Sequence, residues 1–285
     1  MAQAPHLVDT LEALRDAMAR YRRADETVAL VPTMGALHAG HMSLVQAAVA
    51  SGAAVVTSIF VNPLQFGANE DLARYPRDEA ADLAQLKAGG CHLAWLPDVA
   101  TMYAPGDVTT ITVEGPALRW EGDARPGHFR GVATVCAKLF GQVRPDRAYF
   151  GEKDWQQLQV VRRMVADLLL PVAIVGIPTV RDTDGLALSS RNRFLASADR
   201  PVAARLAQIL QATARRLRQG AAVVPALETA RAELAADGYA VDYFALVDGP
   251  TLTPLEETHP RARLVAAARL GSVRLIDNVA ISPAA

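Results

Sequence analysis

"VPTMGALHAGHMSLVQAA", residues 31–48, holds the junction that decides the fold. An apolar run, VALVP at 28–32, ends at Pro32 and passes into a Thr-Met-Gly turn. From His41 the apolar residues Leu44, Val45, Ala48 and Val49 fall on one face of a helix. A few residues on, AAVVTSIFV at 53–61 is almost wholly apolar and β-branched, the composition of a strand buried on both faces, as in a parallel sheet.

The alternation continues outward. A helical pattern over 78–88 stops at Gly89-Gly90, and HLAWLP (92–97) reads as a strand. A helix over 131–142, a strand at 147–150 (RAYF), a helix over 154–169 and a strand at 172–177 follow. This order predicts an α/β fold with a Rossmann-like, doubly wound parallel sheet. Upstream, MAQAPHLVDTLEALRDAM reads as an amphipathic helix and lacks the basic start and apolar stretch of a signal peptide. After about residue 180 the character changes. Ala-, Leu- and Arg-rich helices at 199–219 and 225–236 precede strand-like runs at 241–247, 262–269 and 272–280, the last two joined at Leu270-Gly271 as a hairpin. The expected division is a catalytic domain at 1–179 and a smaller C-terminal α+β domain at 180–285.

Composition narrows the class. The chain has 285 residues, 51% apolar, with a net charge of −1. That balance carries no basic footprint for nucleic acid or an anionic membrane. No apolar run approaches the roughly 20 residues of a spanning helix. Cys91 and Cys136 sit in apolar settings without metal-ligand partners at short spacing, so they read as buried free thiols suited to a reducing cytoplasm.

Five segments carry chemistry. The turn between Pro32 and His41 brings backbone N–H groups and a positive helix end to the carboxyl edge of the sheet, an anion site. Gly35 and Gly40 let backbone approach a ligand there, and His38 and His41 can aim N–H donors at phosphate oxygens. A histidine alone at such a place would cap the helix or stand exposed; the whole string Pro-Thr-Met-Gly-x-Leu-His-x-Gly-His points to function. The Gly-Lys-Ser/Thr ending of a Walker A loop is missing. SIFVNPLQFG (58–67) sets Asn62 and Gln65 at the sheet edge, where amides suit a hydroxyl- or carboxylate-bearing molecule, or simply make a turn. RPGHFRGVATV (125–135) clusters Arg125, His128 and Arg130 around a Pro-Gly turn that is either a cationic site or a solvated surface. In YFGEKDWQQLQVV (149–161), Asp154 reads as a helix N-cap, but Lys153 at a positive helix end is mildly unfavourable and makes sense if a polyphosphate sits there. Gln157, one turn on, faces the same way. DGLALSSRNRFL (184–195) offers hydroxyls and Arg191 for phosphate in a loop able to close over a nucleotide, with Ser197 the better cap for the next helix.

Together PTMGALHAGH, FVNPLQFG, RPGHFRGVATV, GEKDWQQL and LSSRN resemble the pantoate–β-alanine ligase (pantothenate synthetase) family, from about 28 to 280. The first string is also similar to the His-x-Gly-His signature of the wider nucleotidyltransferase superfamily. LSSRN is similar to the mobile loop of its class I aminoacyl-tRNA synthetases. The resemblance implies an ATP-dependent, AMP-forming condensation of D-pantoate with β-alanine through a pantoyl adenylate, a step towards coenzyme A. It also implies Mg²⁺ on the ATP phosphates rather than in a protein metal site, a homodimer and a cytoplasmic location. Carried across residue by residue, Met34, Gly35, Ala36, Leu37, His38, Ala39, Gly40 and His41 become part of the ATP site. Gly151, Glu152, Lys153 and Asp154 hold ATP, with Lys153 on phosphate and Asp154 on ribose. Val180 meets adenine, and Leu188, Ser189, Ser190 and Arg191 close over the nucleotide. Gln65 and Gln157 bind pantoate, joined by Asn62, and Arg125 lies near the β-alanine carboxylate. The second histidine is described in the family as a proton donor; charge stabilisation is the role expected here, for His38, His41 and Lys153 alike. A different adenylyltransferase of the same fold and a non-catalytic nucleotide-binding module are the competing readings.

Overall fold

A computed structural model describes residues 3–67, 70 and 72–282. The first half runs β1 (His6–Val8), α1 (Leu11–Arg23), β2 (Val28–Thr33), α2 (Ala39–Ala50), β3 (Ala54–Ile59), α3 (Glu79–Ala88) and β4 (Leu93–Trp95). Next come α4 (Val99–Met102), α5 (Glu121–Ala124), α6 (His128–Val143), β5 (Arg147–Gly151), α7 (Trp155–Asp167) and β6 (Ala173–Ile177). The remainder is α8 (Arg200–Ala203), α9 (Arg205–Arg218), α10 (Val223–Ala236), β7 (Ala240–Asp248), β8 (Ala262–Leu270) and β9 (Val273–Ala280).

β1 to β6 form one parallel sheet in the order β1-β4-β3-β2-β5-β6. Its inner strands are buried on both faces. Val28 and Leu30 point into the core under α1, α6 and α7, while Ala29 and Val31 point to the opposite core under α2 and α3. That double burial is why the strand runs are continuously apolar rather than alternating. The chain winds outward from β2 through β3 to β4, then restarts at β5 and goes the other way to β6. The reversal lies between β2 and β5, and ligands of doubly wound sheets bind at the carboxyl ends of such a pair.

The expected N-terminal helix is corrected in part. Residues 6–8 form an edge strand beside β4, and the helix starts only at Leu11, where the Thr10 hydroxyl caps it by accepting from the Ala13 amide at 3.2 Å. Met1 and Ala2 lie outside the described residues.

The second sheet, β7-β8-β9, is antiparallel and covered by α9 and α10 around Phe244, Leu246, Leu264 and Ala266. The single helix expected over 199–219 breaks into α8 and α9. Asp199, not Ser197, takes the position before α8, without a side-chain capping bond. In the hairpin Leu270 still pairs with Val273, so the two loop residues are Gly271 and Ser272. The sheets meet at tryptophans: Trp155 donates to the Gly249 carbonyl at 2.8 Å and Trp120 to that of Leu252 at 3.0 Å. No helix of the described residues is long and apolar enough to cross a membrane. Cys91 and Cys136 are buried free thiols, and burial raises the pKa of both.

Candidate active site

The loop leaving β2 is held from below by a residue that sequence reasoning missed. Asp82 on α3, 2% exposed, accepts from the Ala36 amide at 2.9 Å and the Leu37 amide at 2.7 Å. Gln85, on the same helix, donates to the Leu37 carbonyl at 3.0 Å. The Ala36 and Leu37 amides are therefore taken by the Asp82 carboxylate and are not free for an anion. Gly35 has φ +78°, and a Cβ there would stand 2.9 Å from the same carboxylate, so this glycine serves the loop's own packing. Gly40 likewise makes room for protein, since a Cβ would lie 2.8 Å from the His38 ring. One signal for Asp82 existed. It sits one turn before Leu86, and these two are the buried residues of α3: an acid on the apolar stripe.

His38 and His41 flank the start of α2 with ring centroids 4.1 Å apart. His38 does cap the helix: its Nδ1 accepts from the Gly40 amide at 3.1 Å. A neutral ring that accepts at Nδ1 carries its proton on Nε2, so capping leaves one N–H donor free for a ligand. Burial, with the nearby Lys153 charge, pulls the His38 pKa down to about 4. Burial and His38 itself pull His41 down to about 3. Both are thus neutral donors, not cations, at neutral pH. The Nδ1 of His41 is buried without a hydrogen-bond partner among the described residues.

Across the switch point, β5 ends at Gly151 and a 3₁₀ turn, Glu152–Asp154, leads into α7. Asp154 occupies the N-cap position but makes no side-chain capping bond. Its carboxylate instead lies 3.7 Å from the Lys153 ammonium. Glu152 turns away and pairs with Arg263 of the second sheet at 3.6 Å.

Gln65 is held at both ends. Its Oε1 accepts from Asn62 at 2.9 Å, while its carbonyl accepts from Arg125 at 3.1 Å and lies 2.9 Å from the His128 Nδ1. Asn62, 1% exposed, spends its whole amide inside the protein: it also donates to the Gly131 carbonyl and accepts from Tyr103 at 2.7 Å and from the Leu64 amide. It stands behind Gln65 and presents nothing to a ligand. Arg125 grips Glu70 with two nitrogens, at 2.8 and 2.7 Å. Burial and the Arg125 charge lower the His128 pKa to about 4. Arg125 thus pairs with Glu70 and supports Gln65.

A cleft of about 200 Å³ opens at the switch point. It is lined by Met34, His38, Gly40, His41, Gln65, Gly151, Lys153, Asp154, Gln157, Val180, Leu188, Ser189, Ser190 and Arg191. Of the residues expected at the site, Gly35, Ala36, Leu37, Ala39, Glu152, Asn62 and Arg125 do not line it. The structure adds Thr33, Phe60, Tyr75, Phe150, Pro178 and Thr179 to the walls. Tyr75 lies 3.4 Å from the Ser190 hydroxyl and beneath the Arg191 guanidinium, 5.8 Å from ring to charge. Leu188 and Val180 are tied by a 3.0 Å backbone bond. Lys153, Asp154, Gln157, Ser189 and Arg191, joined by Arg125, also line a larger cleft of about 410 Å³, bordered by the second sheet. Neutral N–H donors and two cations, with apolar walls behind them, suit a polyanion held next to a small polar acid.

The family model for pantoate-beta-alanine ligase matches residues 6–280. A pantothenate synthetase from Granulibacter bethesdensis is 58% identical over 277 residues, covering 96% of each chain. A crystal structure of pantothenate synthetase from Thermus thermophilus superposes with a TM-score of 0.92 at 50% identity, covering 98% of this chain and 100% of that one. A pantoate–β-alanine ligase from Francisella tularensis, solved with "Beta-gamma ATP" and β-alanine, gives 0.83 at 31% identity over 98% of both chains. A match running almost end to end, in sequence and in fold, means that the chain belongs to the pantoate–β-alanine ligase family.

Proposed function

We propose that this chain joins D-pantoate to β-alanine at the expense of ATP, giving pantothenate, AMP and pyrophosphate. One observation carries the reading. His38, His41 and Lys153, from the two strands flanking the switch point, line one cleft with Gln65 and Gln157. In the first half-reaction a pantoate carboxylate oxygen bonds to the α-phosphorus of ATP, the bond to the β-phosphate bridge breaks, and pyrophosphate leaves. In the second, the β-alanine amine attacks the carbonyl carbon of the adenylate, an amide forms, a proton is lost from nitrogen, and AMP departs.

The roles follow from charge and placement. Carboxylate and triphosphate repel, so Lys153 and Arg191 offset their charge. His38 and His41 donate N–H bonds to phosphate oxygens as charge builds there, a gain that costs little reorganisation because the rings are already packed. Gln65, clamped by Asn62 and by Arg125 with His128, takes pantoate together with Gln157. Gly151 and Asp154 border ATP, Val180 meets the adenine, and Leu188–Arg191 cover the nucleotide. The covering limits hydrolysis of the mixed anhydride before the amine arrives.

Mg²⁺ enters with ATP and screens its phosphates. Among the described residues lining the smaller cleft, Asp154 is the one carboxylate that could reach such an ion. Residues 1–179 serve as the catalytic domain and 180–285 as a lid, counting termini outside the described residues. The working enzyme is a cytoplasmic homodimer without nucleic-acid or membrane partners.

The test is a pyrophosphate assay. Release is expected only when ATP and pantoate are both present, and β-alanine should then yield AMP and an amide. ATP turnover that ignores pantoate would point to another adenylyltransferase, and ATP binding with no pyrophosphate to a non-catalytic module; either outcome ends this reading.

A further inference from the structure

The Lys153 turn belongs to the parallel sheet, yet its backbone is held from the other one. Asn278 of β9 donates its side-chain amide to the carbonyls of Glu152 and Lys153, both at 2.9 Å. Its Oδ1 accepts from Arg263, whose guanidinium lies over the Trp155 ring, 3.4 Å from the centroid. The preceding Asp277, 4% exposed, takes Arg181 with both oxygens, at 2.6 and 2.9 Å, and accepts from the Asn278 main-chain N–H at 2.7 Å. Arg181 also donates to the Gly185 carbonyl and pairs in a β-bridge with Ala187, immediately before Leu188–Arg191. Both side chains are buried although they are neighbours on one strand, which departs from the usual apolar and polar alternation. An apolar residue at 278 would remove both donors from the Glu152 and Lys153 carbonyls, so the amide has a defined task.

We propose that the Asp277–Asn278 pair is a positioning element for adenylate formation. Asn278 fixes the height and direction of the Lys153 main chain, and Asp277 fixes the base of the Leu188–Arg191 segment through Arg181. Two segments that face the triphosphate thereby take their spacing from one dipeptide of the second sheet. This rests on the proposal that Lys153 and Arg191 act on ATP phosphates. A displacement of about 1 Å at such a group costs on the order of 10²-fold in rate.

The experiment compares Asn278→Asp, which keeps the shape but turns a donor into an oxygen facing two carbonyls, with wild type and Lys153→Ala. Wild type is first assayed for pantoate-dependent pyrophosphate release; failure there removes the functional reading, not the clamp. Given that activity, Asn278→Asp should lower kcat of the first half-reaction by about 10- to 100-fold. The KM for pantoate and the attack of β-alanine on preformed adenylate should stay within about twofold. Lys153→Ala should lose about 10²-fold or more. In that background Asn278→Asp should add at most about twofold, because both changes remove one function. Asn278→Ala removes the donors without adding charge and reads the same effect should the carboxylate variant not fold. A wild-type rate in either folded variant, a full further loss in the Lys153→Ala background, or an equal fall in both half-reactions would overturn the proposal.

Discussion

Asp82→Ala is the most telling single change outside the cleft. The side chain touches no ligand-facing surface, but its two oxygens satisfy the buried amides of Ala36 and Leu37 at 2.9 and 2.7 Å. Truncation leaves both amides without a partner, and an orphaned buried donor costs about 1–3 kcal/mol, so about 2–6 kcal/mol for the pair. Ala36 also has φ +50°, a left-handed conformation costing about 1–2 kcal/mol that relaxes once the loop is free. The expected net loss is thus in the lower half of that range, about 2–4 kcal/mol. Asp82→Asn keeps one acceptor and should lose about half as much, with its NH₂ facing a backbone donor. Urea unfolding followed by tryptophan fluorescence measures both. The same loop carries His38, so pyrophosphate release by the variants still folded at low temperature should fall by about tenfold or more. If Asp82→Ala unfolds within about 0.5 kcal/mol of wild type, the amides find other partners and the carboxylate does not hold the loop. Normal stability loss with an unchanged rate would mean instead that the histidines do not depend on this loop.

Gln65→Ala is expected to raise the KM for pantoate by about tenfold or more while leaving ATP binding within about twofold, read by pantoate and ATP titrations; equal losses for both ligands would count against that division. The histidines give a pH prediction with a definite sign. Burial lowers His41 and His128 to about 3 and about 4, so the unfolded chain binds protons below about pH 6.5 that the folded chain refuses. Stability is therefore full above pH 6.5 and declines as pH falls from there towards 4, by about 1 kcal/mol per histidine per pH unit. Urea midpoints that stay level between pH 7.5 and 5.5 would show that these rings are not held neutral.

Much of the parallel sheet was legible because its cause is local. A strand covered on both faces must be apolar at every position, and VALVP and AAVVTSIFV advertise that without reference to anything distant. The glycine turn after Pro32 and the one after RAYF are equally local, so both edges of the switch point could be read. β1 escaped because three residues at a sheet edge, exposed at His6 and Leu7, carry almost no pattern. The break between α8 and α9 escaped because both halves are made of the same good helix formers. Within the site, Asn62 has the chemistry of a ligand-binding group, and only its partners, Gly131 and Tyr103, reveal that it is consumed by protein.

By itself the sequence determined the alternation of buried strands and helices, the turns at the carboxyl edge of the sheet, and the family strings they carry, since each depends on residues within a few positions of one another. The tertiary structure alone decided what those turns offer. Asp82 reaches the loop amides from 45 residues away, and Asn278 reaches the Lys153 carbonyl from 125. Whether a histidine is charged depends likewise on the burial and the cation that folding brings beside it. Hydrogen-bond saturation and desolvation are properties of the assembled neighbourhood, and no local periodicity encodes them.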